Sequence, residues 1–110
     1  MSYKIVATRK FEKELRRLVK KFPSLKNEFS SLINSILKKL ETGIFIGRNC
    51  YKIRLAIISK GKGKSGGARV ITYLYIQTET VYLLTIYDKS EKSNLSANEL
   101  NDMIKNLDLN

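Results

Sequence analysis

Hydrophobic residues recur with a helical period in the first part of the chain. A short run of β-type residues at 3–7 predicts a strand, and from Arg9 onward the apolar positions lie three or four residues apart, which is the spacing of one helix face. This apolar stripe consists of Phe11, Leu15, Leu18, Val19 and Phe22. Thr8 is a suitable N-cap for the helix, and Pro23 ends it because proline has no N–H to donate.

A second apolar stripe follows directly after Pro23. We expect a helix that starts at Ser24 and closes at Thr42 and Gly43, since glycine commonly follows a helix end. Its expected buried residues are Leu25, Phe29, Leu32, Ile33, Ile36, Leu37 and Leu40. Because the connection between the two helices is very short, the pattern predicts an antiparallel helical hairpin.

The period falls to two in the second half of the chain. After an expected loop at 43–49, hydrophobic and polar residues alternate at 51–57, as in a half-buried strand. Residues 68–77 and 80–87 are rich in Val, Ile, Tyr and Thr, which favours two more strands. Only two residues separate these runs, so we expect a tight antiparallel hairpin.

The last predicted element is a helix with a clear start signal. Ser96 and Glu99 have the spacing of a capping box, and Leu95 and Leu100 are placed as its hydrophobic staple. The predicted order is therefore β-α-α-β-β-β-α. It describes an α+β fold, in which a small, mostly antiparallel sheet packs with an N-terminal helical hairpin and a C-terminal helix. A length of 110 residues fits a single domain that spans 1–110.

The composition narrows the possible chemistry. The absence of histidine and the single cysteine, Cys50, argue against a histidine- or cysteine-based zinc site, a Ser-His-Asp arrangement and an internal disulfide. The N-terminus lacks the apolar core of a signal peptide, and no apolar run reaches the length of about 20 residues that a membrane span needs. We expect a cytoplasmic protein without metal, cofactor or membrane contact.

The charge is large and unevenly distributed. Lys and Arg number 21 against 10 Asp and Glu, which gives a net charge of +11 and favours a polyanionic partner. Residues 48–69 contain no acid, and the first helix carries seven bases against two acids, whereas acids outnumber bases from Asp88 onward. The bases of the segment 48–69 are Arg48, Lys52, Arg54, Lys60, Lys62, Lys64 and Arg69. This asymmetry predicts one strongly positive face.

The segment 60–69 alternates lysine with glycine and ends in an arginine. Glycines let backbone N–H groups approach phosphate, yet the spacing is not that of a Walker A loop, and a flexible loop with hydrated lysines is an equally good interpretation. Arg69 starts a predicted strand, where packing can hold its planar guanidinium against phosphate. Tyr87 and Lys89 would lie beside Arg69 if the last two strands pair, although Tyr87 is also suited simply to cover the sheet.

Residues 61–71 and 84–96 together resemble toxins of the RelE/ParE superfamily, in particular its RelE-type, HigB-like branch. The resemblance implies a toxin of a toxin–antitoxin system, an endoribonuclease (mRNA interferase) that enters the ribosomal A site, cleaves mRNA and inhibits translation. It also implies a cognate antitoxin as partner. Two alternatives stay open: ParE-type members poison DNA gyrase, and a non-catalytic nucleic-acid-binding module fits the composition.

The resemblance also implies where the site residues lie. The catalytic candidates, in the basic loop, at the strand arginine and after the last strand, are Lys62, Lys64, Arg69, Tyr87 and Lys89. The candidates for RNA contacts are Arg54, Lys60, Lys92, Arg16, Arg17 and Lys20. Some members of the superfamily use a histidine near the end of the chain, and this sequence has none.

The expected reaction is attack of an RNA 2′-hydroxyl on its neighbouring phosphate, which leaves a cyclic phosphate and a 5′-hydroxyl. Such a reaction needs a base, an acid and cations that stabilise the added negative charge, but no metal, because the substrate supplies the nucleophile. Arg69 is expected to stabilise charge because it stays protonated. The base is open among Lys62, Lys64, Lys89 and Tyr87.

Overall fold

A computed structural model describes residues 2–61, 63 and 65–107. The strands are β1 (Lys4–Ala7), β2 (Ile44–Gly47), β3 (Cys50–Leu55), β4 (Ala68–Tyr75) and β5 (Thr80–Asp88). The helices are α1 (Arg9–Lys21), α2 (Leu25–Lys38) and α3 (Ala97–Lys105), and short 3₁₀ turns cover Ile58–Lys60 and Ile76–Thr78. No helix among the described residues combines the length and the apolar character needed to cross a membrane.

The strands form one sheet in the order β1-β5-β4-β3-β2. β1 pairs with β5 in parallel, and every other pair is antiparallel, so the predicted α+β class and the mostly antiparallel sheet are confirmed. β2 lies where a loop was expected. It is a four-residue edge strand in which Ile44 and Phe45 are both more than half exposed, so its sequence lacks the alternation that marks a half-buried strand.

The N-terminal helices begin where the sequence predicts, but α2 ends earlier than predicted. The Thr8 hydroxyl caps α1 by accepting a hydrogen bond from the Phe11 amide, at 3.1 Å. α2 stops at Lys38, before the expected Thr42 and Gly43, and Leu40 packs against the core from beyond the helix. The expected burial of Leu37 is wrong. Its side chain is 52% exposed because it lies off the buried face of α2.

The sheet has a different core on each face because successive side chains of a strand point to opposite sides. On one face, α1 and α2 pack over residues such as Val70, Leu83 and Ile86. On the other face, Leu100 of α3 packs with Ile71 and with residues of β5. The faces are called here the α1 face and the α3 face.

The β4–β5 connection differs from the predicted turn, whereas the start of α3 agrees with the prediction. The β4–β5 pairing is antiparallel as predicted, but the connection is a four-residue 3₁₀ turn, with Glu79 in the left-handed region at φ 50°, rather than a two-residue turn. The capping box of Ser96 and Glu99 is present in full, and Leu95 and Leu100 both pack in the α3-face core. The N-terminus of α3 is thereby fixed above β5.

Candidate nucleic-acid site

Three of the predicted site residues form a row across the sheet. Arg54 of β3 lies opposite Arg69 of β4, and Arg69 lies opposite Tyr87 of β5. Directly opposite residues project to the same face of a sheet. The row belongs to the α3 face, since Tyr87 packs in the core beneath α3. The expectation that Tyr87 lies beside Arg69 if the two strands pair is confirmed.

The guanidinium of Arg69 is held at the junction of β4 and the glycine–lysine segment. Its Nη1 donates to the Ala68 carbonyl at 3.1 Å, and its Nη2 donates to the Ser65 carbonyl at 3.3 Å. The residue is only 5% exposed. Because an arginine stays charged in proteins, these contacts fix a permanent positive charge at one place on the α3 face.

Tyr87 offers a protonated hydroxyl beside this charge. Burial is the main influence on the Tyr87 pKa and raises it, whereas the positive charges of Arg69 and Lys92 act in the opposite direction and offset only part of the rise. The side chain is 7% exposed. A phenol with a raised pKa is a proton donor at neutral pH and is poorly suited to act as a base.

A cleft of about 360 Å³ lies between the α3 face and the N-terminus of α3. Tyr87 lines it together with Arg48, Lys52 and Asn94, and none of the described residues that line it is acidic. We call it the basic cleft. Sequence reasoning counted Arg48 and Lys52 among the bases but did not select them as site residues. The available signal was the strand period, because Lys52 precedes Arg54 by two residues and shares its face.

Lys60 does not lie in the basic cleft. Its ammonium forms an ion pair with Asp88, contacts the Ser90 hydroxyl and lies 5.6 Å from the centre of the Phe22 ring at the end of α1. The side chains of Lys60 and Asp88 are 9% and 1% exposed. Burial alone would raise the pKa of Asp88, but hydrogen bonds from Lys60 and from the Ser90 amide lower it overall. The Lys60 ammonium is thus engaged inside the protein, and its RNA contact stays a prediction.

The predicted bases on α1 also lie apart from the cleft, because α1 packs on the opposite face of the sheet. Arg16, Arg17 and Lys20 are exposed. Arg17 donates to both carboxylate oxygens of Glu91, at 2.6 and 3.3 Å, and Lys21 adds a contact of 3.4 Å to the same carboxylate. Two of the four bases at 16–21 thus share one acid of the segment after β5.

The remaining candidates follow β5 or precede β4. The Lys89 ammonium donates to the Ser93 carbonyl at 2.8 Å, which fixes the turn after β5. Lys92 pairs with Glu99, and this contact, together with the Ser96 amide, lowers the pKa of the exposed Glu99 carboxyl to about 2. The predicted catalytic residues Lys62 and Lys64 lie outside the described residues.

The described side chains offer no cluster of His, Cys, Asp and Glu that could hold a metal ion. What they offer is a row of two arginines and a phenol beside an acid-free cleft, on a five-stranded mixed sheet. Fixed cations, exposed amides and a hydroxyl are groups that bind phosphate and ribose. The fold and the site together define a small α+β protein with a basic cleft on the α3 face of its sheet.

Several solved structures of E. coli RelE and its antitoxin complex match this fold. The chain matches E. coli RelE carrying two arginine-to-alanine substitutions in the free state, with a TM-score of 0.64 and 15% identity over 97% of this chain and 99% of that one. It matches the isolated E. coli RelE toxin with a TM-score of 0.60 and 17% identity over 96% and 100% of the two chains. A chain of the intact E. coli RelBE toxin–antitoxin complex matches with a TM-score of 0.59 and 16% identity over 79% and 96%.

The family is shown by a match to the family model for the RelE toxin of the RelE/RelB toxin–antitoxin system. This model matches residues 3–107, nearly the whole chain. The chain belongs to the RelE toxin family. The predicted membership of the RelE/ParE superfamily is confirmed, while the HigB-like branch stays a prediction.

Proposed function

We propose that this toxin is a ribosome-dependent, metal-independent mRNA endoribonuclease that inhibits translation. The observation that carries the proposal is the row of Arg54, Arg69 and Tyr87 beside the basic cleft, whose described lining contains no acid. A cleavage site for RNA needs cations that bind the scissile phosphate and a proton donor for the leaving group. The row supplies both kinds of group on one face of the sheet.

The proposed reaction begins with attack of the 2′-hydroxyl on the adjacent phosphorus. A new O–P bond forms, the bond to the 5′-oxygen breaks, and the products are a 2′,3′-cyclic phosphate and a 5′-hydroxyl. Arg69 stabilises the negative charge that grows on the phosphate oxygens, because its guanidinium is fixed before substrate arrives. Tyr87 gives its proton to the departing 5′-oxygen, a role that its raised pKa supports.

The proton of the 2′-hydroxyl goes to a lysine in this proposal. The raised pKa of Tyr87 supports its role as the acid, so the base is assigned to another group. Lys62, Lys64 and Lys89 stay candidates. A modest set of acid and base groups agrees with a substrate that is already held in the ribosomal A site, since positioning alone supplies several kcal/mol of the barrier.

Two partners follow from the proposal. Exposed bases such as Arg16 and Lys20 on the α1 face would contact ribosomal RNA through its phosphates, which predicts binding that weakens steeply with salt. A cognate antitoxin would silence the toxin. The matched structures include the RelBE complex and a RelE variant bound to an antitoxin peptide, and a net charge of +11 favours an acidic partner segment.

The test is to incubate the purified protein with translating ribosomes and to map the 5′ ends of the mRNA. We expect cuts inside the codon in the A site, with 5′-hydroxyl and cyclic phosphate ends. Intact mRNA together with gyrase-dependent DNA breaks would instead identify a gyrase poison. RNA binding without cleavage and without growth arrest on expression would identify a non-catalytic nucleic-acid-binding module.

A further inference from the structure

A second cavity, of about 510 Å³, continues from the basic cleft along the α3 face. It lies between the turn that joins β2 to β3 and the last turns of α3. Arg48 lines both this cavity and the basic cleft, so the two form one continuous surface. The other lining residues are Asn49, Tyr73, Asn101, Ile104 and Lys105. None of the six described lining residues is acidic, and two of them, Arg48 and Lys105, are cations.

The backbone of Arg48 is in a conformation that arginine rarely adopts. Arg48 and Asn49 have φ angles of 54° and 59°, in the left-handed region that glycine and asparagine tolerate and that most side chains disfavour. The Asn49 carbonyl accepts a hydrogen bond of 2.9 Å from the Leu74 amide, which fastens the turn to β4. Strained residues of this kind cluster at functional sites.

The thiol of Cys50 holds the same turn from the other side. Cys50 is buried, and burial raises its pKa to about 12, so the thiol keeps its proton and donates to the Arg48 carbonyl at 3.5 Å. The turn therefore holds the Arg48 backbone at the border of the two cavities, which the arginine side chain lines. A glycine or asparagine would satisfy the backbone better, which indicates that the side chain itself has a use.

An aromatic surface lies next to this arginine. Tyr73 is the strand partner of both Cys50 and Tyr82, and its ring lies 6.0 Å from the ring of Tyr75 and 6.4 Å from that of Tyr82. The Tyr73 side chain is only partly buried and lines the cavity. An aromatic ring beside cations and amide side chains is the combination with which proteins bind single-stranded nucleic acid.

We propose that this cavity is a second nucleotide subsite, which receives a nucleotide of the mRNA next to the linkage that is cut. The inference rests on the proposed function. Arg48 and Lys105 bind phosphate, the Tyr73 ring packs against the base, and the Asn101 amide is placed to hydrogen-bond the base edge. We call this cavity the outer subsite.

The test compares RNA lengths. Fluorescein-labelled, adenosine-rich oligoribonucleotides with methylated 2′-hydroxyls cannot react, and their binding is read as fluorescence anisotropy. We expect a trinucleotide to occupy only the basic cleft and a hexanucleotide to reach the outer subsite as well. Tyr73→Leu should weaken binding of the hexanucleotide about tenfold and leave the trinucleotide unchanged, because Tyr73 lines only the outer subsite. Arg48→Gly should also weaken binding of the hexanucleotide about tenfold, and it should weaken the trinucleotide as well because Arg48 lines both cavities. Tyr73→Phe keeps the ring and should bind like the wild type.

The positive φ of Arg48 also provides a control for loss of folding in the variant. Arg48→Gly removes an unfavourable φ angle, so its melting temperature should equal or exceed that of the wild type. Glu79→Gly is the matched control, because Glu79 also has a positive φ, at 50°, but lies in the β4–β5 connection and outside both cavities. It should leave the affinity for the hexanucleotide unchanged.

The outcomes separate this inference from the proposed function. A wild-type protein that fails to cut mRNA on ribosomes refutes the nuclease, while the oligonucleotide comparison still decides the subsite. Equal binding of both lengths by the wild type overturns the outer subsite. Full hexanucleotide affinity in Arg48→Gly and Tyr73→Leu also overturns it and leaves this surface for a protein partner.

Discussion

Two regions of this protein carry many bases, and they differ in what neutralises them. On the α1 face, Arg17 and Lys21 share the carboxylate of Glu91, and Lys60 is buried against Asp88. On the α3 face, the described lining of the basic cleft contains bases and no acid. Positive charge in the sequence is therefore a poor guide to the site by itself. The positions of the acids decide which bases can still attract a polyanion.

The acids that make this difference come from one short segment. Asp88 ends β5, and Glu91 lies in the turn that follows. Side chains of neighbouring strand residues point to opposite faces, so Asp88 turns toward Lys60 on the α1 face while Tyr87 turns toward the cleft. One residue step along β5 thus separates a structural ion pair from the proposed reaction site.

The largest expected effect on stability comes from breaking the buried pair. Asp88→Asn leaves the Lys60 ammonium buried without its counter-charge, and we expect it to lower the free energy of unfolding by about 3 kcal/mol in urea titrations. The double variant Lys60→Met with Asp88→Leu removes both charges and should recover most of this loss. A single variant as stable as the wild type would show that the pair is not part of the core.

The same pair predicts a dependence of stability on pH. The pKa of Asp88 is lower in the folded protein than its usual value, so its contribution is complete above an unfolded pKa of about 3.9 and disappears as the pH falls through the folded value. Unfolding free energies measured from pH 6 downward should fall more steeply for the wild type than for Asp88→Asn. Parallel curves for the two proteins would contradict this assignment.

The smallest expected effect concerns the exposed pair on α1. Arg17→Ala removes both hydrogen bonds to Glu91, but solvent screens this pair, and we expect a loss of less than about 1 kcal/mol in unfolding free energy. The difference from wild type should shrink further in high salt. A loss as large as that of Asp88→Asn would remove the distinction between the buried and the exposed pair.

Much of the fold could be predicted from local signals. The Thr8 cap, the capping box at Ser96 and the strand periods each depend on neighbouring residues, and the structure agrees with them. The edge strand β2 could not be predicted, because its apolar residues are exposed and show no alternation. The end of α2 and the exposure of Leu37 depend on which face the sheet covers, and that is a tertiary property.

The site was predictable only in part for the same reason. Strand pairing was enough to place Arg69 beside Tyr87. The partner of Lys60 lies 28 residues further along the chain, and no local pattern indicates that the two side chains are buried together. Arg48 could not be recognised either, since its role depends on a left-handed turn that the sequence Arg-Asn does not signal strongly.

The central claim is that the row on the α3 face carries the reaction. It is tested most directly by the single-turnover rate of mRNA cleavage on programmed ribosomes, measured for Arg69→Ala and for Lys26→Ala, an exposed base on α2. We expect Arg69→Ala to cleave about 100-fold more slowly or worse, because it removes a fixed charge from the transition state, and Lys26→Ala to keep the wild-type rate. A folded Arg69→Ala protein that cleaves as fast as the wild type would contradict the claim.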